Sequence, residues 1–272
     1  MILTGCLRKP VISSSCFLMD TVITTTLYDA DEDELSETEK LLIQCESDLL
    51  EEVPEDAKDA LDSIIASTDG AFDYRIGKLI KLWGIGTEHA RVPSHQEIEE
   101  LLGDRSTFDP GSYGKGYACD RLMEYMQSHD IEGACVAVGG SVLCYGKHDG
   151  KDYYTIGIRD PRGDSNDYIG TIKVKNAVVS TSGNYERVLE QDGRKYHHIL
   201  NPSDGYPAES GLTSVTVISE SGLLSDALGT AAFIIGYEKG AELLAEYNCE
   251  GIFIDKDMNV YTTGGIIFEE TH

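Results

Sequence analysis

The sequence has 272 residues, of which 41% are hydrophobic, and its 48 acidic and 22 basic side chains give a net charge of −26. This length allows one or two domains with a sizeable core, and no apolar run reaches the roughly 18 residues that a membrane-spanning helix needs. The excess of negative charge excludes nucleic acids and anionic membrane surfaces as expected partners.

The first residues carry a candidate lipidation signal. Leu3-Thr4-Gly5-Cys6 has the small-residue pattern that precedes a lipid-modified cysteine in bacterial lipoproteins. The basic and apolar regions of a signal peptide do not precede it, so either the numbering begins near a processing site or the pattern arises by chance. We treat residues 1–15 as a tether and residues 16–272 as a single domain.

Helix and strand patterns alternate in groups along the rest of the chain, without internal repeats. Cys16–Tyr28 is rich in Val, Ile and Thr and predicts a strand. A capping box at Ser94 and Glu97 predicts a short helix through Leu102. Longer helices are predicted over Glu34–Leu50, Glu55–Thr68, Gly116–His129, Leu223–Ile235 and Glu238–Tyr247.

Strand patterns with Gly, Asp and Pro turns dominate Ala134–Ser219, and Gly251–Thr263 predicts a terminal hairpin. Strands in runs, with helices grouped between them, predict an α+β fold with a mixed or antiparallel sheet core and flanking helices. Apart from Cys6, the cysteines have neither a CxxC pair nor metal-ligand spacing, which predicts buried free thiols at Cys16, Cys45, Cys119, Cys135, Cys144 and Cys249.

The segment Ser180–Pro207, STSGNYERVLEQDGRKYHHILNPSDGYP, is the most informative for function. It combines small hydroxyl residues, a double histidine and two turn signals. Such residues occur together where the main chain approaches a polar ligand and an imidazole points into a cleft. Taken alone, the segment is also compatible with two ordinary strands joined by turns.

Four further segments accompany it, and the five in this order resemble the ApbE family of flavin-transferring lipoproteins, the FAD:protein FMN transferases. The four are Asp69–Gly86, Asp109–Asp120, Val138–Pro161 and Ser225–Gly236. The resemblance runs from Phe17 onward and implies an ApbE-like catalytic domain. It also implies a lipid-anchored protein on the extracytoplasmic face of a bacterial membrane, with a soluble protein as the alternative.

Asp226 and Thr230 lie four residues apart, on one face of a predicted helix that is otherwise nearly all apolar. A buried carboxylate needs a partner, and magnesium prefers such hard oxygen ligands. The residues alone favour an Asp bound by main-chain amides and a Thr bonded to its own helix. The resemblance instead implies that both residues are magnesium ligands, together with Ser112.

Lys115 follows a glycine-rich turn at a predicted helix start, where main-chain amides and the helix dipole attract phosphate. A surface lysine is the alternative. The resemblance implies that Asp109 contacts the flavin nucleotide. It implies the same of Ala71, Phe72 and Asp73, with Phe72 offering an aromatic face and Asp73 a polar anchor. Trp83 is interpreted as a core residue.

His197 and His198 are adjacent, so on a strand they point to opposite faces. The resemblance favours His198 as general base, and an ordinary histidine pKa of about 6.5 suits the removal of a proton from a hydroxyl. It also implies ligand contacts from Thr181, Ser182 and Ile199.

The resemblance implies magnesium-dependent transfer of FMN from FAD to a threonine or serine hydroxyl of an acceptor flavoprotein, with release of AMP. An FAD pyrophosphatase that gives FMN and AMP, and a non-catalytic flavin-binding protein, are the alternatives. The family's SE-x-x-x-LN stretch is absent between Cys45 and Ala66, and its hairpin is reduced to GDRSTF between Leu102 and Asp109. The family also has apolar residues where this chain has Pro110 and Tyr113. These departures leave open whether the chain binds the adenine half of FAD.

Overall fold

The computed structural model describes residues 10–129, 131–164 and 166–271. The candidate lipidation site at Cys6 lies outside these residues. The first strand, β1, covers Ile12–Leu18, so the boundary predicted at residue 16 falls inside a strand and the sheet begins within the segment predicted as a tether.

An antiparallel sheet of eight strands forms the middle layer. In spatial order, its strands are β1 (Ile12–Leu18), β2 (Thr21–Tyr28), β3 (Gly133–Val138), β4 (Ser141–Gly146), β7 (Ala177–Gly183), β10 (Leu212–Ser219), β11 (Glu250–Asp255) and β12 (Val260–Thr262). Side chains alternate between its faces, so Val178 of β7 faces one core while Ala177 and Val179 face another.

Helices cover one face of this sheet. The central helix, α6 (Gly222–Ile235), packs on β7 and β10, and α5 (Gly114–Ser128) packs beside it against β4. The other helices are α1 (Glu32–Glu51), α2 (Glu55–Ser67), α3 (Gly77–Trp83), α4 (His95–Leu101) and α7 (Tyr237–Glu246). Within the described ranges, no helix has the length and apolarity needed to cross a membrane.

A smaller antiparallel sheet covers the opposite face, so the molecule has three layers. Its spatial order is β13 (Phe268–Glu270), β6 (Tyr168–Val174) and β5 (Tyr154–Arg159), and its apolar side chains share a core with β7 and β11. A separate hairpin of β8 (Val188–Gln191) and β9 (Arg194–His197) leads into the segment with the double histidine.

The predicted α+β class, the five long helices and the terminal hairpin are confirmed. The side chains of Ser94 and Glu97 form the predicted capping box. Trp83 is 1% exposed and belongs to the core, as predicted.

Some predictions of secondary structure are wrong or incomplete. The single strand predicted over Cys16–Tyr28 is a hairpin, because Met19 and Asp20 form a two-residue turn with φ angles of 53° and 55°. Non-glycine residues seldom adopt such angles, so this turn is hard to predict from sequence. The short helix α3 and the edge strand β13 were not predicted.

Candidate functional site

The candidate site lies where α5 crosses α6 at main-chain contact. A Cβ atom added to Gly116 would lie 1.9 Å from the carbonyl oxygen of Gly222, and one added to Gly222 would lie 2.2 Å from that of Gly116. Both distances are far inside van der Waals contact, so both positions require glycine. The crossing brings the first turns of the two helices together.

Each of the two helices supplies a carboxylate that binds an amide in the first turn of the other. Asp120 of α5 accepts hydrogen bonds from the amides of Gly222 and Leu223, while Asp226 of α6 accepts one from the amide of Gly116 at 3.0 Å. Burial raises the pKa of Asp120, and its bonds to the amides oppose that shift. Helix starts leave such amides without intrahelical partners, so the exchange satisfies both helices.

Lys115 connects this crossing to the glycine-rich turn. Its Nζ lies 3.3 Å from Oδ2 of Asp226, which is 4% exposed, and donates a hydrogen bond to the carbonyl of Gly111 at 2.9 Å. The ammonium group is therefore not a free surface charge. Asp226 in turn has both a main-chain amide and a cation as partners.

Thr230 lies one helical turn after Asp226. Its Oγ1 is 3.4 Å from the carbonyl oxygen of Asp226 and 3.4 Å from Oγ of Ser182 on β7. Both contacts are at the long limit for hydrogen bonds between oxygens, so the Thr230 hydroxyl can turn toward another partner at low cost. The alternative drawn from the residues, an Asp bound to amides and a Thr bonded to its own helix, is present in the structure.

The oxygen atoms that Asp226 and Thr230 offer as ligands fit magnesium. Asp226 offers a carboxylate and Thr230 a hydroxyl, and magnesium is usually held by one or two carboxylates with substrate phosphates and water. In the part of the chain that the structure describes, no group of three or more His, Cys, Asp or Glu residues could hold a metal ion. Ser112, the third predicted ligand, donates its hydroxyl to the carbonyl of Asp109 at 3.2 Å, so that hydroxyl is engaged within its own turn.

Asp109 precedes the 3₁₀ turn Pro110–Ser112 and caps it by accepting a hydrogen bond from the amide of Gly111 at 3.1 Å. The surrounding protein raises the pKa of Asp109 by desolvation. The positive charges of Lys115 and Arg187 oppose this effect, and the negative charge of Asp226 adds to it. Asp109 therefore shares one electrostatic environment with the helix crossing.

His198 lies just beyond β9, which ends at His197, so the predicted strand alternation does not determine where its ring points. Burial is the main cause that lowers the pKa of His198 to about 4, and the positive charges of Arg187 and Lys115 add to it. Its Nδ1 atom is buried and has no hydrogen-bond partner among the described residues. At neutral pH, the imidazole is uncharged and can accept a proton.

His197 has different surroundings. Its Nε2 bonds to the carbonyl of Ala208 at 3.0 Å, and its ring meets that of Phe233 edge to face, with centroids 5.5 Å apart. Burial lowers the pKa of His197 as well. These contacts hold the ring of His197 in place, although its Nδ1, like that of His198, is buried without a hydrogen-bond partner among the described residues.

The predicted side-chain roles of Phe72 and Asp73 need correction, whereas the contact from Ala71 stays a prediction. The ring of Phe72 is 1% exposed and packs in the core, so it does not offer an aromatic face to a ligand. Asp73 accepts hydrogen bonds from Nε of Arg75 at 2.8 Å and Nε of Arg105 at 2.6 Å. Burial acts to raise the pKa of Asp73, but these bonds outweigh it and the pKa is lowered. Asp73 is therefore a structural anchor, beside a half-buried Ala71.

Two other residues predicted to contact the ligand, Thr181 and Ile199, have side chains that contact neighbouring protein groups. The side chain of Ile199 is 5% exposed and packs in the core. The hydroxyl of Thr181 pairs with that of Thr216 at 2.8 Å, and its amide donates to the carbonyl of Gly140 at 2.9 Å. Contacts from either residue to a ligand would need exposed main-chain atoms or a rearranged side chain.

The structure thus connects one group of the predicted residues, which comprises Asp109, Lys115, Ser182, His198, Asp226 and Thr230. Sequence reasoning missed Arg187, whose charge acts on both Asp109 and His198. Its only signal was its place in the Tyr185-Glu186-Arg187 run within the segment already singled out. A lone exposed arginine in a turn is otherwise unremarkable.

Comparison with known proteins identifies the family and the fold of the chain. Residues 47–253 match the ApbE family. The FAD:protein FMN transferase of Klebsiella pneumoniae (strain 342) is 36% identical over 213 residues, which cover 71% of this chain and 66% of that protein. The FAD:protein FMN transferase of Treponema pallidum (strain Nichols) is 32% identical over 233 residues, which cover 73% of this chain and 64% of that protein.

The match spans just under two thirds of the length of these relatives. Among solved structures, the ApbE protein of Thermotoga maritima superimposes with a TM-score of 0.81 at 30% identity, covering 93% of this chain and 96% of that one. The flavin transferase ApbE of Vibrio cholerae superimposes with a TM-score of 0.80 at 23% identity, a likeness of fold.

Proposed function

The chain belongs to the ApbE family, and we propose that it transfers FMN from FAD to a threonine or serine hydroxyl of an acceptor flavoprotein, with magnesium, and releases AMP. The relatives named FAD:protein FMN transferase support this activity. The observation that carries the proposal is the half-buried imidazole of His198, whose Nδ1 has no partner among the described residues and whose pKa is lowered by burial and by the charges of Arg187 and Lys115. A base next to two positive charges is what proton removal beside a diphosphate requires.

Lys115 and Arg187 would bind the diphosphate of FAD. Their positive charges both lower the pKa of His198 and both oppose the rise in the pKa of Asp109, so the two cations act on the same part of the site. The negative charge of the diphosphate would offset the two cations and raise the pKa of His198. Substrate binding would thereby make the imidazole a stronger base.

Asp226 and Thr230 would hold the magnesium ion, and Ser112 would join them by turning its hydroxyl away from the carbonyl of Asp109. When bound, the ion neutralises phosphate charge and stabilises the charge that develops in the transition state. The amide of Gly116 and the ammonium of Lys115 fix the Asp226 carboxylate from one side. This leaves the Thr230 hydroxyl as the more adaptable of the two side chains.

In the proposed reaction, the acceptor hydroxyl attacks the phosphorus on the FMN side of FAD while His198 takes the hydroxyl proton. The bond from that phosphorus to the bridging oxygen breaks, and AMP leaves with the electron pair. Lys115 and Arg187 stabilise the negative charge on the leaving phosphate. FMN then remains on the acceptor through a phosphoester bond.

The test is to incubate the chain with FAD, magnesium and an acceptor protein that carries a threonine flavinylation site. We expect a fluorescent flavin band on the acceptor in a denaturing gel, with an equal amount of AMP released. AMP with free FMN and no labelled band would mean that water is the acceptor and the protein is a pyrophosphatase. Bound FAD without AMP would indicate a flavin-binding protein. A chelator should abolish turnover, and added magnesium should restore it.

We also propose, from the small-residue pattern before Cys6, that the protein is anchored by lipid on the extracytoplasmic face of a bacterial membrane. A full-length precursor expressed in a bacterium should fractionate with membranes, and Cys6→Ser should release it. A precursor with Cys6 intact that remains in the soluble fraction would favour the alternative, a soluble protein.

A further inference from the structure

The hairpin of β3 and β4 places two thiols opposite each other. Gly139 and Gly140 form its two-residue loop, and the register pairs Val138 with Ser141 and Cys135 with Cys144. The pair that flanks a two-residue loop is hydrogen-bonded, and antiparallel pairs then alternate between the two types. Counting outward from the loop, Cys135 and Cys144 occupy a non-hydrogen-bonded pair, in which the side chains approach most closely.

This position suits a disulfide. The Cα atoms of a non-hydrogen-bonded pair are about 4.5 Å apart, and disulfides join Cα atoms separated by roughly 4.4–6.8 Å. Directly opposite side chains share one face of the sheet. Both cysteines face the core shared with the smaller sheet, so the two thiols lie on the same side of the sheet.

The two thiols differ in reactivity. The neighbouring Cys135 and burial both raise the pKa of Cys144, which disfavours its thiolate. Cys135 is partly exposed, whereas Cys144 is buried. The thiolate is the reactive form of cysteine, so Cys135 is the attacking group and Cys144 the resolving group.

We propose that Cys135 and Cys144 are a modification site at which a small-molecule disulfide oxidant forms a reversible cross-strand disulfide. The Cys135 thiolate attacks one sulfur of the oxidant, whose second sulfur leaves as a thiolate. Cys144 loses its proton and attacks the Cys135 sulfur of this mixed disulfide, and the remaining oxidant thiolate leaves. Two electrons and two protons pass from the chain to the oxidant.

The cross-link would act on the strand pair that supports the candidate site. The carbonyl of Gly140 in the hairpin loop accepts a hydrogen bond from the amide of Thr181, and Ser141 pairs with Ser180. A disulfide at the other end of the hairpin would hold β3 and β4 together and reduce the conformational entropy of the unfolded chain. Oxidation should therefore raise the melting temperature.

The experiment uses the full-length reduced chain, treated under native conditions with oxidised glutathione. Thiols are then counted after denaturation, and peptides are mapped by mass spectrometry. We expect the loss of two thiols, a peptide pair linked through Cys135 and Cys144, and recovery of both thiols with dithiothreitol. Cys16→Ser is the matched control, because Cys16 is also partly exposed but pairs with Ile23 on the next strand, and it should still lose two thiols.

Cys135→Ser and Cys144→Ser should each abolish the linkage, and Cys135→Ala provides a second substitution if serine destabilises the sheet. An unchanged thiol count in the wild type would overturn the proposal. So would a glutathione adduct that persists on Cys135, a linkage between other cysteines, or a disulfide that dithiothreitol does not reduce in the folded protein. None of these outcomes depends on flavin transfer.

Discussion

On the helix half of the site, α5 and α6 touch through the main chain at Gly116 and Gly222, and Asp226 has partners from both helices. On the histidine half, His198 follows a partly exposed hairpin, and its Nδ1 has no partner among the described residues. The first half is fixed before any ligand binds, whereas the second keeps a polar atom available. A substitution that forces α5 and α6 apart should therefore damage structure, and a substitution at His198 should damage chemistry.

The largest effect should come from Gly116→Ala, which would break the helix half. The added methyl group would lie 1.9 Å from the Gly222 carbonyl oxygen, so the helices must separate. We expect a loss of at least ~3 kcal/mol, at or beyond the upper end of typical overpacking costs, measured by chemical denaturation. Gly103→Ala is the matched control, because a Cβ at Gly103 contacts nothing within 4 Å. Equal stability of the two variants would show that the crossing is not tight.

His198→Ala tests the histidine half. Removal of a positioned general base should slow flavin transfer by roughly 10²–10⁴-fold while FAD binding is retained. His197→Ala should instead cost stability, because it removes the bond to Ala208 and the packing on Phe233. The comparison requires transfer rates, FAD titrations and melting temperatures of both variants. If His197→Ala abolishes transfer and His198→Ala does not, the two roles assigned here are exchanged.

Asp226→Asn tests the helix half more selectively, because it removes the negative charge of the side chain and keeps its shape. The amide oxygen can still accept from the Gly116 amide, so we expect little change in stability. The magnesium concentration that gives half-maximal activity should rise by more than the roughly 10–100-fold that loss of an outer-shell partner costs. Unaltered magnesium dependence would contradict a ligand role for Asp226.

The smallest effect concerns pH. The folded-state pKa of His198 is about 4, below its ordinary value of 6.5, so the unfolded chain binds its proton more readily and stability falls as pH decreases from 6.5 to 4. This group alone accounts for a loss on the order of 2–3 kcal/mol over that window. In the His198→Ala variant, the melting temperature should fall less steeply as the pH decreases, because the contribution of His198 is removed. In the wild type, kcat/KM should likewise decrease on the acidic side of its pH profile with a midpoint near pH 4. A midpoint near 6.5 would mean that the free imidazole is not buried as described.

Sequence patterns predicted those parts whose signals are local. The capping box at Ser94, the apolar helix α6 and the pairing of Asp226 with Thr230 on one face follow from spacing along the chain. The resemblance then predicted which of these polar residues belong to one site.

The remaining features depend on contacts between residues far apart in the chain. Sequence alone does not show that Phe72 is buried, or that Arg75 and Arg105 both bind Asp73. The effect of Arg187 on His198 also arises only from the fold. The turn at Met19 and Asp20 was missed for another reason, because it uses left-handed main-chain angles without glycine.

The exchange of carboxylates between α5 and α6 also bears on when the site forms during synthesis. Asp226 and the Gly116 amide are separated by 110 positions in the chain, and Asp120 and the Gly222 amide by 102. Neither helix has its first turn satisfied until the other has been made, so a ribosome-bound chain that ends before α6 lacks both bonds. Such distant contacts close slowly and leave apolar surface exposed meanwhile. The apolar α6 is therefore the segment that most needs its partner, and the proposed magnesium site should form only after α6 has emerged.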